Sequence, residues 1–312
     1  MTRPDCQVGI VVLDYHQPEA TLACVRSLLA AEGPETRILW IENDADTALA
    51  AARQTLAGSG LAWVLLDPGR DPLPPAGTIG LIPVARNLGY GGGNNVGLRY
   101  LHGQGVPYAW VLNNDSLLEA GCSRLLVAAA QGRPEVGLWG TAIRTGPDHC
   151  HCGGRIQTRD FAAAMVAEPA DLDGEPLAFV SGCSMFLATA TAQAAGWIPE
   201  DFFLYYEDLA FNWEVRRLGL RVAALATVRV QHLESLSTGR RSRLTEFYNR
   251  RNRWLFIQRY FPEQLPGQQR RFLFYQVQKR LLALKFSKLA LEWQAWRAFK
   301  RGVTGPQPGC YS

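Results

Sequence analysis

The first part of the chain alternates between short apolar runs and longer amphipathic stretches. β-Branched or apolar runs bounded by polar residues are typical of buried parallel strands, and they occur at residues 8–13, 37–41 and 62–66. Helical spacing of apolar residues separates them over 18–31 and 47–56. A strand–helix–strand–helix–strand order predicts right-handed βαβ units and a doubly wound α/β sheet with helices on both faces.

The same pattern continues less regularly toward the carboxyl terminus. Further strands are predicted at 108–112, 136–143, 179–187 and 221–230, with helices over 123–130 and 203–218. Residues 144–174 show no pattern that predicts a defined element.

Composition narrows the class of protein. The chain has 312 residues, of which 47% are hydrophobic and 19% charged, which is enough to bury a core and excludes general disorder. No apolar run approaches the roughly 18–20 residues of a membrane span, and the first apolar run is too short for a signal peptide. We therefore expect a cytoplasmic protein. Its seven cysteines, an odd number, favour free thiols over a disulfide framework.

Charge is unevenly distributed. Between Arg240 and Arg301 there are 16 Lys and Arg against 3 acids, a net charge of +13, while the rest carries −9 to give +4 overall. We predict a catalytic domain over 1–238 and a basic, helical extension over 239–312.

The extension has an amphipathic pattern. A narrow apolar stripe on a basic helix is typical of binding to an anionic membrane surface. We therefore predict that residues 270–301 bind the inner face of the plasma membrane. Docking on the protein's own core or on a second copy in a homodimer is the alternative. The charge also attracts nucleic acid, but no nucleic-acid-binding motif accompanies it, so we expect no nucleic acid partner. The stripe consists of Leu282, Phe286, Leu289, Trp293 and Trp296.

Polar side chains follow several predicted strands. In doubly wound sheets, ligands bind beyond the carboxyl ends of strands. An exposed carboxylate such as Asp115 can hold a hard divalent cation that bridges diphosphate oxygens, although a turn and N-cap before the following helix is the better explanation of an isolated Asn-Asn-Asp. The strand-end residues are Asp14, Tyr15, Glu42, Asn43, Asn113, Asn114, Asp115 and His232.

Two acids, Glu207 and Asp208, follow an aromatic run. Neighbouring carboxylates repel each other, so the pKa of one rises and it can accept a proton near neutral pH. The alternative is a helix amino terminus whose dipole favours acids.

Two other clusters, one of glycines and one of His and Cys, resemble known site motifs, but their residue spacing does not match those motifs. The glycines of 87–97 lack the third glycine of a dinucleotide loop, because Asn94 or Val96 stands there. They suit either a backbone approach to a phosphate or sugar, or a tight turn with Asn caps. The run of His and Cys at 148–152 has no second cluster at zinc-site spacing, and alternation on a strand separates its side chains.

Taken together and in order, these segments resemble the family 2 inverting glycosyltransferases, and within them the rhamnosyltransferase-like branch. The resemblance covers about residues 8–238. The matching segments are Val8-Gly-Ile-Val-Val-Leu-Asp-Tyr15, Ile41-Glu-Asn-Asp44, Asn87-Leu-Gly-Tyr-Gly-Gly-Gly-Asn-Asn95, Leu112-Asn-Asn-Asp115, Ser181-Gly-Cys-Ser-Met185, Phe202-Phe-Leu-Tyr-Tyr-Glu-Asp208 and His232.

The resemblance implies a GT-A fold, a nucleotide-diphosphate sugar donor (dTDP-rhamnose or a UDP-sugar) and a divalent metal, Mg²⁺ or Mn²⁺. The acceptor implied is a glycan or lipid-linked hydroxyl. It implies that Asp208, beside Glu207, is the general base, that Asp115 and His232 hold the metal, and that Gly182 and Tyr206 face the acceptor. The donor-binding positions it implies are Asp14, Tyr15, Glu42, Asn43, Asn87, Gly91, Gly92, Asn95, Asn113 and Asn114.

Four residues depart from the family pattern. Glu42 replaces the usual Asp at the pyrimidine, Asn113 replaces the first acid of the D-x-D motif, and Ala210 and Glu214 stand where an Asp and an Arg are usual. These departures leave a second function class open, a non-catalytic protein that binds a nucleotide sugar or a partner.

Overall fold

The computed structural model describes residues 7–33, 36–119, 121–146, 149–169, 172, 175–233, 243–278 and 286–306. The α-helices are α1 (Pro18–Glu32), α2 (Ala45–Gly58), α3 (Gly89–Gly103), α4 (Cys122–Gly132), α5 (Thr189–Ala194), α6 (Glu207–Arg217), α7 (Arg243–Tyr260), α8 (Leu265–Arg271) and α9 (Phe286–Lys300). The strands are β1 (Val8–Asp14), β2 (Arg37–Glu42), β3 (Trp63–Leu65), β4 (Ile79–Pro83), β5 (Tyr108–Asn113), β6 (Ser116–Leu118), β7 (Val136–Arg144), β8 (Cys150–His151), β9 (Gly153–Ile156), β10 (Ala163–Val166), β11 (Ala178–Phe179), β12 (Ser184–Ala188) and β13 (Arg221–His232). Short 3₁₀ turns lie at Glu200–Phe202 and Pro262–Gln264, and a π-helical turn at Phe272–Val277.

The main sheet has ten of the described strands, in the order β3-β4-β2-β1-β5-β12-β7-β13-β6, with β8 paired to β7. The first five are parallel, and β12 runs antiparallel between β5 and β7. Since β7 and β13 are parallel to each other, β1, β2, β5 and β13 all end at one edge of the sheet. This confirms the predicted α/β class and places the predicted strand-end residues on that edge.

Helices cover both faces of this sheet. Leu98 and Leu101 of α3 pack on one face with Val11 and Ile41. On the other face, helices α1, α2 and α4 pack against side chains that include Trp40 and Trp110, the largest of the fully buried residues. Strands buried on both faces explain why their sequences read as continuous apolar runs.

The glycine run forms part of helix α3, whereas the sequence predicted a loop leading into a helix. Glycine has a low helix propensity, but tertiary packing overrides it here. A Cβ on Gly97 would lie 2.7 Å from Val11 Cγ1, and one on Gly93 would lie 2.4 Å from Leu13 Cδ1. The glycines therefore allow the helix to approach strand β1 closely.

Three other boundaries differ from the predictions. The strand predicted over 179–187 divides into β11 and β12, because Gly182 lies between them in close contact with other residues. The helix predicted from 203 begins at Glu207, since Phe203, Tyr205 and Tyr206 all have positive φ. The irregular region at 144–174 contributes β9 and β10 to a small antiparallel sheet with β11.

The carboxyl-terminal helices pack onto the rest of the chain. Buried residues of α7 include Phe247, Tyr248 and Trp254, and α9 packs against α7. The predicted boundary at 238/239 lies outside the described residues, as does Leu282 of the predicted apolar stripe. Of the helices described, none is long and apolar enough to cross a membrane.

Candidate active site

The carboxyl groups of Asp14 and Glu42 meet at the ends of the neighbouring strands β1 and β2. The two residues are register partners, each is 0% exposed, and their side chains lie within hydrogen-bonding reach of each other. Burial raises the pKa of Asp14, and burial followed by the charge of Asp14 raises that of Glu42 to about 8. At neutral pH the pair therefore retains a proton, and neither oxygen of Glu42 has another hydrogen-bond partner among the described residues.

Asn43 joins the end of β2 to the residues that precede helix α3. Its side chain donates to Asn87 Oδ1 at 3.1 Å and to the Gly89 carbonyl at 3.1 Å, and it accepts from Leu88 N at 3.0 Å. Asn87 in turn accepts from Gly89 N at 2.8 Å. Asn43 and Asn87, both predicted to bind the nucleotide-sugar donor, are thus adjacent, and their contact with each other fixes this side of the sheet edge.

The rim of this side is polar and accessible. Tyr15 is 37% exposed and lies edge-on to His16, with 4.5 Å between ring centroids. His16 Nε2 is 2.7 Å from Asp44 Oδ2, which also accepts from Thr47. Slight burial raises the pKa of Asp44, but the bonds from His16 and Thr47 outweigh it and lower the pKa below its usual range. An ionised acid and an aromatic ring are therefore presented to a ligand at this rim.

The predicted metal residues are in direct contact. His232, the last residue of β13, lies with Nε2 3.0 Å from Asp115 Oδ1 and 3.3 Å from Asn113 Nδ2. Burial lowers the pKa of His232, but its contacts with Asp115 and Cys183 more than compensate and raise it to about 10. Asn114 points elsewhere, toward Thr21 at 3.0 Å and Asp14 at 3.4 Å.

The side chains of Asp115 and His232 are of types that ligate a divalent cation. Mg²⁺ binds one or two carboxylates and keeps water or phosphate oxygens in its other positions, and Mn²⁺ also accepts imidazole. Asp115 supplies a carboxylate on the edge where the strands end, and His232 beside it would supply a nitrogen ligand only after releasing the proton that its raised pKa retains at neutral pH. Within the described residues no three His, Cys, Asp or Glu side chains converge, so such an ion would take its remaining ligands from water and a diphosphate.

Glu207 and Asp208 begin helix α6. Asp208 accepts from the backbone N–H of Gly182 at 3.0 Å and of Leu209 at 2.8 Å. Burial raises its pKa, although these backbone bonds offset part of the effect. Glu207 is buried, and burial together with the charge of Asp208 raises its pKa well above the usual value. Of the two, Asp208 is the more accessible group.

The segment Ser181–Gly182–Cys183 contacts both halves of the site. Gly182 donates to Asp208 on one side. On the other side the Cys183 carbonyl accepts from Asn113 N at 3.1 Å, and Cys183 Sγ lies 3.6 Å from Ser116 Oγ. Asp208 and the pair Asp115–His232 therefore flank a single stretch of backbone.

Three residues that were predicted to bind the sugar donor instead contact other parts of the protein. Asn95 donates to the Ile198 carbonyl at 2.8 Å and accepts from Ile198 N at 3.0 Å. A Cβ on Gly91 would lie 3.0 Å from Ile198 Cγ2, and one on Gly92 would lie 2.7 Å from Leu88 Cβ. These contacts hold helix α3 against residues 198–200. Tyr206, predicted on the acceptor side, donates its hydroxyl to the Phe161 carbonyl at 2.9 Å, and burial raises its pKa to about 12.

No family model and no curated protein sequence matches this chain. Solved structures do share its fold. Residues 1–349 of S. aureus TarS superimpose with a TM-score of 0.53 at 13% identity, over 95% of this chain and 81% of that one. The mannosyltransferase PcManGT from Pyrobaculum calidifontis gives 0.56 at 13% identity, over 97% and 76%. GalNAc-T7 gives 0.53 at 11% identity, over 74% of this chain and 44% of that one.

The chain has the GT-A fold. Its α/β architecture, with a mostly parallel central sheet, is that of these glycosyltransferases. PcManGT was solved in complex with GDP-Man and Mn²⁺, GalNAc-T7 with UDP, GalNAc and Mn²⁺, and TarS with UDP-GlcNAc. At 11–13% identity the likeness extends to the fold alone.

In this GT-A fold, two of the residues that differ from the pattern of the resembled family, Glu214 and Ala210, contact helix α7. Glu214 Oε1 accepts from the Tyr260 hydroxyl at 2.7 Å, which raises the pKa of Tyr260 together with burial. Ala210 is fully buried, and its carbonyl lies 3.5 Å from the same hydroxyl.

Helix α7 also holds the turn that precedes the two acids. Arg251, 1% exposed, donates to the Phe202 carbonyl at 2.7 Å and lies 4.8 Å from the Tyr248 ring. Asn252 Nδ2 lies 2.7–2.8 Å from the carbonyls of Phe202, Leu204 and Tyr205. The residues with positive φ are thus fixed from the carboxyl-terminal side.

The sequence analysis did not identify four contributors to the site. Arg251 and Asn252 lie in the basic carboxyl-terminal extension, where two polar residues among Phe247, Tyr248 and Trp254 are a pattern typical of a buried polar contact. Cys183 and Tyr90 lie inside motifs quoted for their neighbours. Nothing in the sequence alone shows that they meet.

The His and Cys run at 148–152 gives no metal cluster within the described residues. Cys150 is exposed, whereas Cys152 is buried with Sγ toward the Ala167 carbonyl. The five cysteines described in the structure are free thiols.

Proposed function

We propose that the protein is an inverting, metal-dependent glycosyltransferase that moves a sugar from a nucleotide-diphosphate donor to a hydroxyl of a glycan or lipid-linked acceptor. The observation that carries this is the shared backbone segment 181–183, with Asp208 on one side and Asn113, beside Asp115 and His232, on the other. An acid and a cation-binding pair on the two sides of one pocket edge are what a transfer of this kind requires. We propose the catalytic part to be residues 1–238.

The chemistry follows from these positions. Asp208 takes the proton of the acceptor hydroxyl as its oxygen forms a bond to the anomeric carbon and the bond to the diphosphate breaks on the opposite face. A divalent cation, when bound, neutralises charge on the departing diphosphate, and Asp115 with His232 would hold it. The raised pKa of Asp208 suits a group that must accept a proton near neutral pH.

For the donor we propose dTDP-rhamnose or a UDP-sugar. The support is the strand-end segment Ile41-Glu-Asn-Asp44, which presents the ionised Asp44 and the ring of Tyr15 on an accessible rim. An aromatic ring offers a stacking surface to a pyrimidine, and the carboxylate of Asp44 can accept its N–H in place of Glu42, which the resemblance implied for this role but which is fully buried. The solved GT-A structures include donors of both the UDP and the GDP series, so the test must separate them.

The test measures thermal stability with UDP, dTDP, GDP, ADP and NAD, each with and without Mn²⁺. A ligand that binds only the folded protein raises its melting temperature. We expect metal-dependent stabilisation by UDP or dTDP, and hydrolysis of the matching sugar nucleotide. Asp208→Asn should abolish hydrolysis and keep the stabilisation, whereas Glu135→Gln, an exposed acid before β7 at the other edge of the sheet, should change neither.

The outcomes separate the two function classes. Stabilisation by GDP in place of UDP and dTDP would redirect the donor assignment. Stabilisation without hydrolysis by the unmodified protein would favour a non-catalytic nucleotide-sugar-binding protein. No response to any nucleoside diphosphate would refute the donor site itself.

For the acceptor side we propose an anionic membrane surface, at the cytoplasmic inner face of the plasma membrane. On helix α9, Leu291, Ala295 and Phe299 are buried, so one face of this helix packs against the protein itself, and only the opposite face is available to a membrane. Trp293 is 43% exposed and stacks on Trp296 at 4.9 Å. Exposed Lys and Arg residues surround this ring pair, and their charge is complementary to anionic headgroups. They are Lys288, Arg297, Lys300 and Arg301.

Sedimentation with vesicles tests this surface. We expect binding to vesicles that contain phosphatidylglycerol, weaker binding at high salt, and little binding to phosphatidylcholine alone. Trp293→Ser should reduce it, and Leu218→Ser, which removes an apolar side chain of matched exposure (42%) after α6, should not. Equal binding by Trp293→Ser, or a Trp293-dependent dimer in solution in its place, would refute the membrane assignment.

A further inference from the structure

Tyr90, the second residue of helix α3, reaches the backbone beside the proposed base. Its own N–H donates to the Phe203 carbonyl at 2.8 Å, which fixes the start of the helix against the turn before α6. Its hydroxyl donates to the Gly182 carbonyl in a short hydrogen bond. Two contacts thus hold this side chain between the turn and the segment 181–183.

Gly182 is confined between Tyr90 and Asp208. A Cβ at this position would lie 3.3 Å from Asp208 Cβ and 3.3 Å from the Tyr90 hydroxyl oxygen. Its N–H donates to Asp208 Oδ2 at 3.0 Å, while its carbonyl accepts from Tyr90. The orientation of this one residue therefore depends on the hydroxyl at one end and determines the hydrogen bond to the carboxylate at the other.

We propose that Tyr90 is a positioning residue for the base: its hydroxyl fixes Gly182 so that the Gly182 N–H is directed at Asp208 Oδ2. The second oxygen, Oδ1, is held by the N–H of Leu209. With both oxygens directed, the carboxylate keeps one rotamer while the acceptor hydroxyl approaches. This inference rests on the proposed transferase function.

The proton affinity of Asp208 reports on this arrangement. The ionisable groups around it are Glu207 on its own helix, Tyr90 on α3, and Tyr206 in the preceding turn. None of these supplies a positive charge, so the backbone N–H bonds are what favour the ionised form. Loss of the directed Gly182 N–H should raise the pKa of Asp208 further.

The experiment compares Tyr90→Phe with Tyr100→Phe in the full chain. Tyr100 lies on the same helix and donates its hydroxyl to the Pro72 carbonyl at 2.7 Å, on a contact that does not involve residues 181–208. For Tyr90→Phe we expect kcat to fall about tenfold at neutral pH through lost orientation, with nucleoside diphosphate affinity unchanged. The acid limb of the pH profile of kcat should move upward by about one unit.

Tyr100→Phe should leave the rate and the pH profile unchanged. In the Asp208→Asn background, Tyr90→Phe should have no further effect on any residual rate, because a positioning residue acts only through the group that it positions. An unshifted pH profile in active Tyr90→Phe, or an additive effect in the double variant, would overturn the inference. An unmodified protein that neither hydrolyses nor transfers sugar from any donor would instead refute the proposed function.

Discussion

Substitution of Asn252 tests whether helix α7 stabilises the turn that precedes the catalytic acids. The side chain is fully buried, and its amide nitrogen lies 2.8 Å from the Phe202 carbonyl, 2.8 Å from that of Leu204 and 2.7 Å from that of Tyr205. The Phe202 carbonyl also accepts from Arg251, so Asn252→Ala leaves two carbonyls, those of Leu204 and Tyr205, without this side-chain donor.

The expected loss follows from those bonds. Each polar group left without a partner costs about 1–3 kcal/mol, so the loss of two such bonds in Asn252→Ala should lower the free energy of unfolding by about 2–6 kcal/mol. Urea unfolding followed by circular dichroism measures this change. Asn249→Ala is the matched control, because Asn249 lies one turn earlier on α7 and donates only to Thr245, within its own helix, at 2.9 Å.

For the control we expect a change below about 1 kcal/mol, as for most partly exposed sites. Asn252→Ala should also reduce kcat more than donor affinity, since the turn that it releases leads directly into Glu207 and Asp208. A loss no larger than that of Asn249→Ala would show that the carbonyls of the turn find other partners, and the reasoning on this contact would be wrong.

Three further predictions concern other buried groups. Because the pKa of Glu42 is raised to about 8 in the folded protein, against about 4.3 when unfolded, its contribution to stability should be lost as pH rises from about 4.3 to 8. Glu42→Gln should flatten that part of the stability-versus-pH curve in urea unfolding, and an unchanged slope would contradict the retained proton. Gly93→Ala should lower the free energy of unfolding, since the added Cβ would clash with Leu13 and Asn43. Gly103→Ala, whose added Cβ would have no atom within 4 Å, should instead raise it by about 0.5–1 kcal/mol. Equal melting temperatures of the two variants would refute this. Glu292→Gln removes one of the two acids that pair with Arg250, at 2.8 Å, while Glu246 at 3.2 Å remains; it should cost about 1.5–3 kcal/mol, and a loss under about 0.5 kcal/mol in the same assay would argue against a stabilising ion pair between α7 and α9.

Strand ends were predictable from the sequence because their signal is local. A buried strand followed by Asp14, by Glu42 or by Asn113 is visible as an apolar run that stops at a polar residue. Parallel connection through helices then requires such ends to share an edge. The close contact of Asp115 with His232, 117 positions apart in the chain, follows from the same rule.

Helix α3 and the turn at 202–206 were not predictable in the same way. Glycine disfavours a helix locally, and only the approach of Gly97 to Val11 explains why it is tolerated. Likewise, positive φ at Phe203, Tyr205 and Tyr206 is costly for residues of this size. That cost is offset by Asn252, nearly 50 residues later, and a local pattern carries no information about so distant a contact.

The position of Asn252 in the chain also sets the order in which the site becomes complete during synthesis. Chains emerge from the ribosome amino terminus first, at about 5–20 residues per second. All strands of the described sheet precede α7, so the sheet, Glu207 and Asp208, and the pair Asp115–His232 are synthesised before the helix that fixes the turn beside them. The nascent protein therefore holds the side chains of the proposed site for a few seconds without their final orientation, and the last helices to emerge complete it.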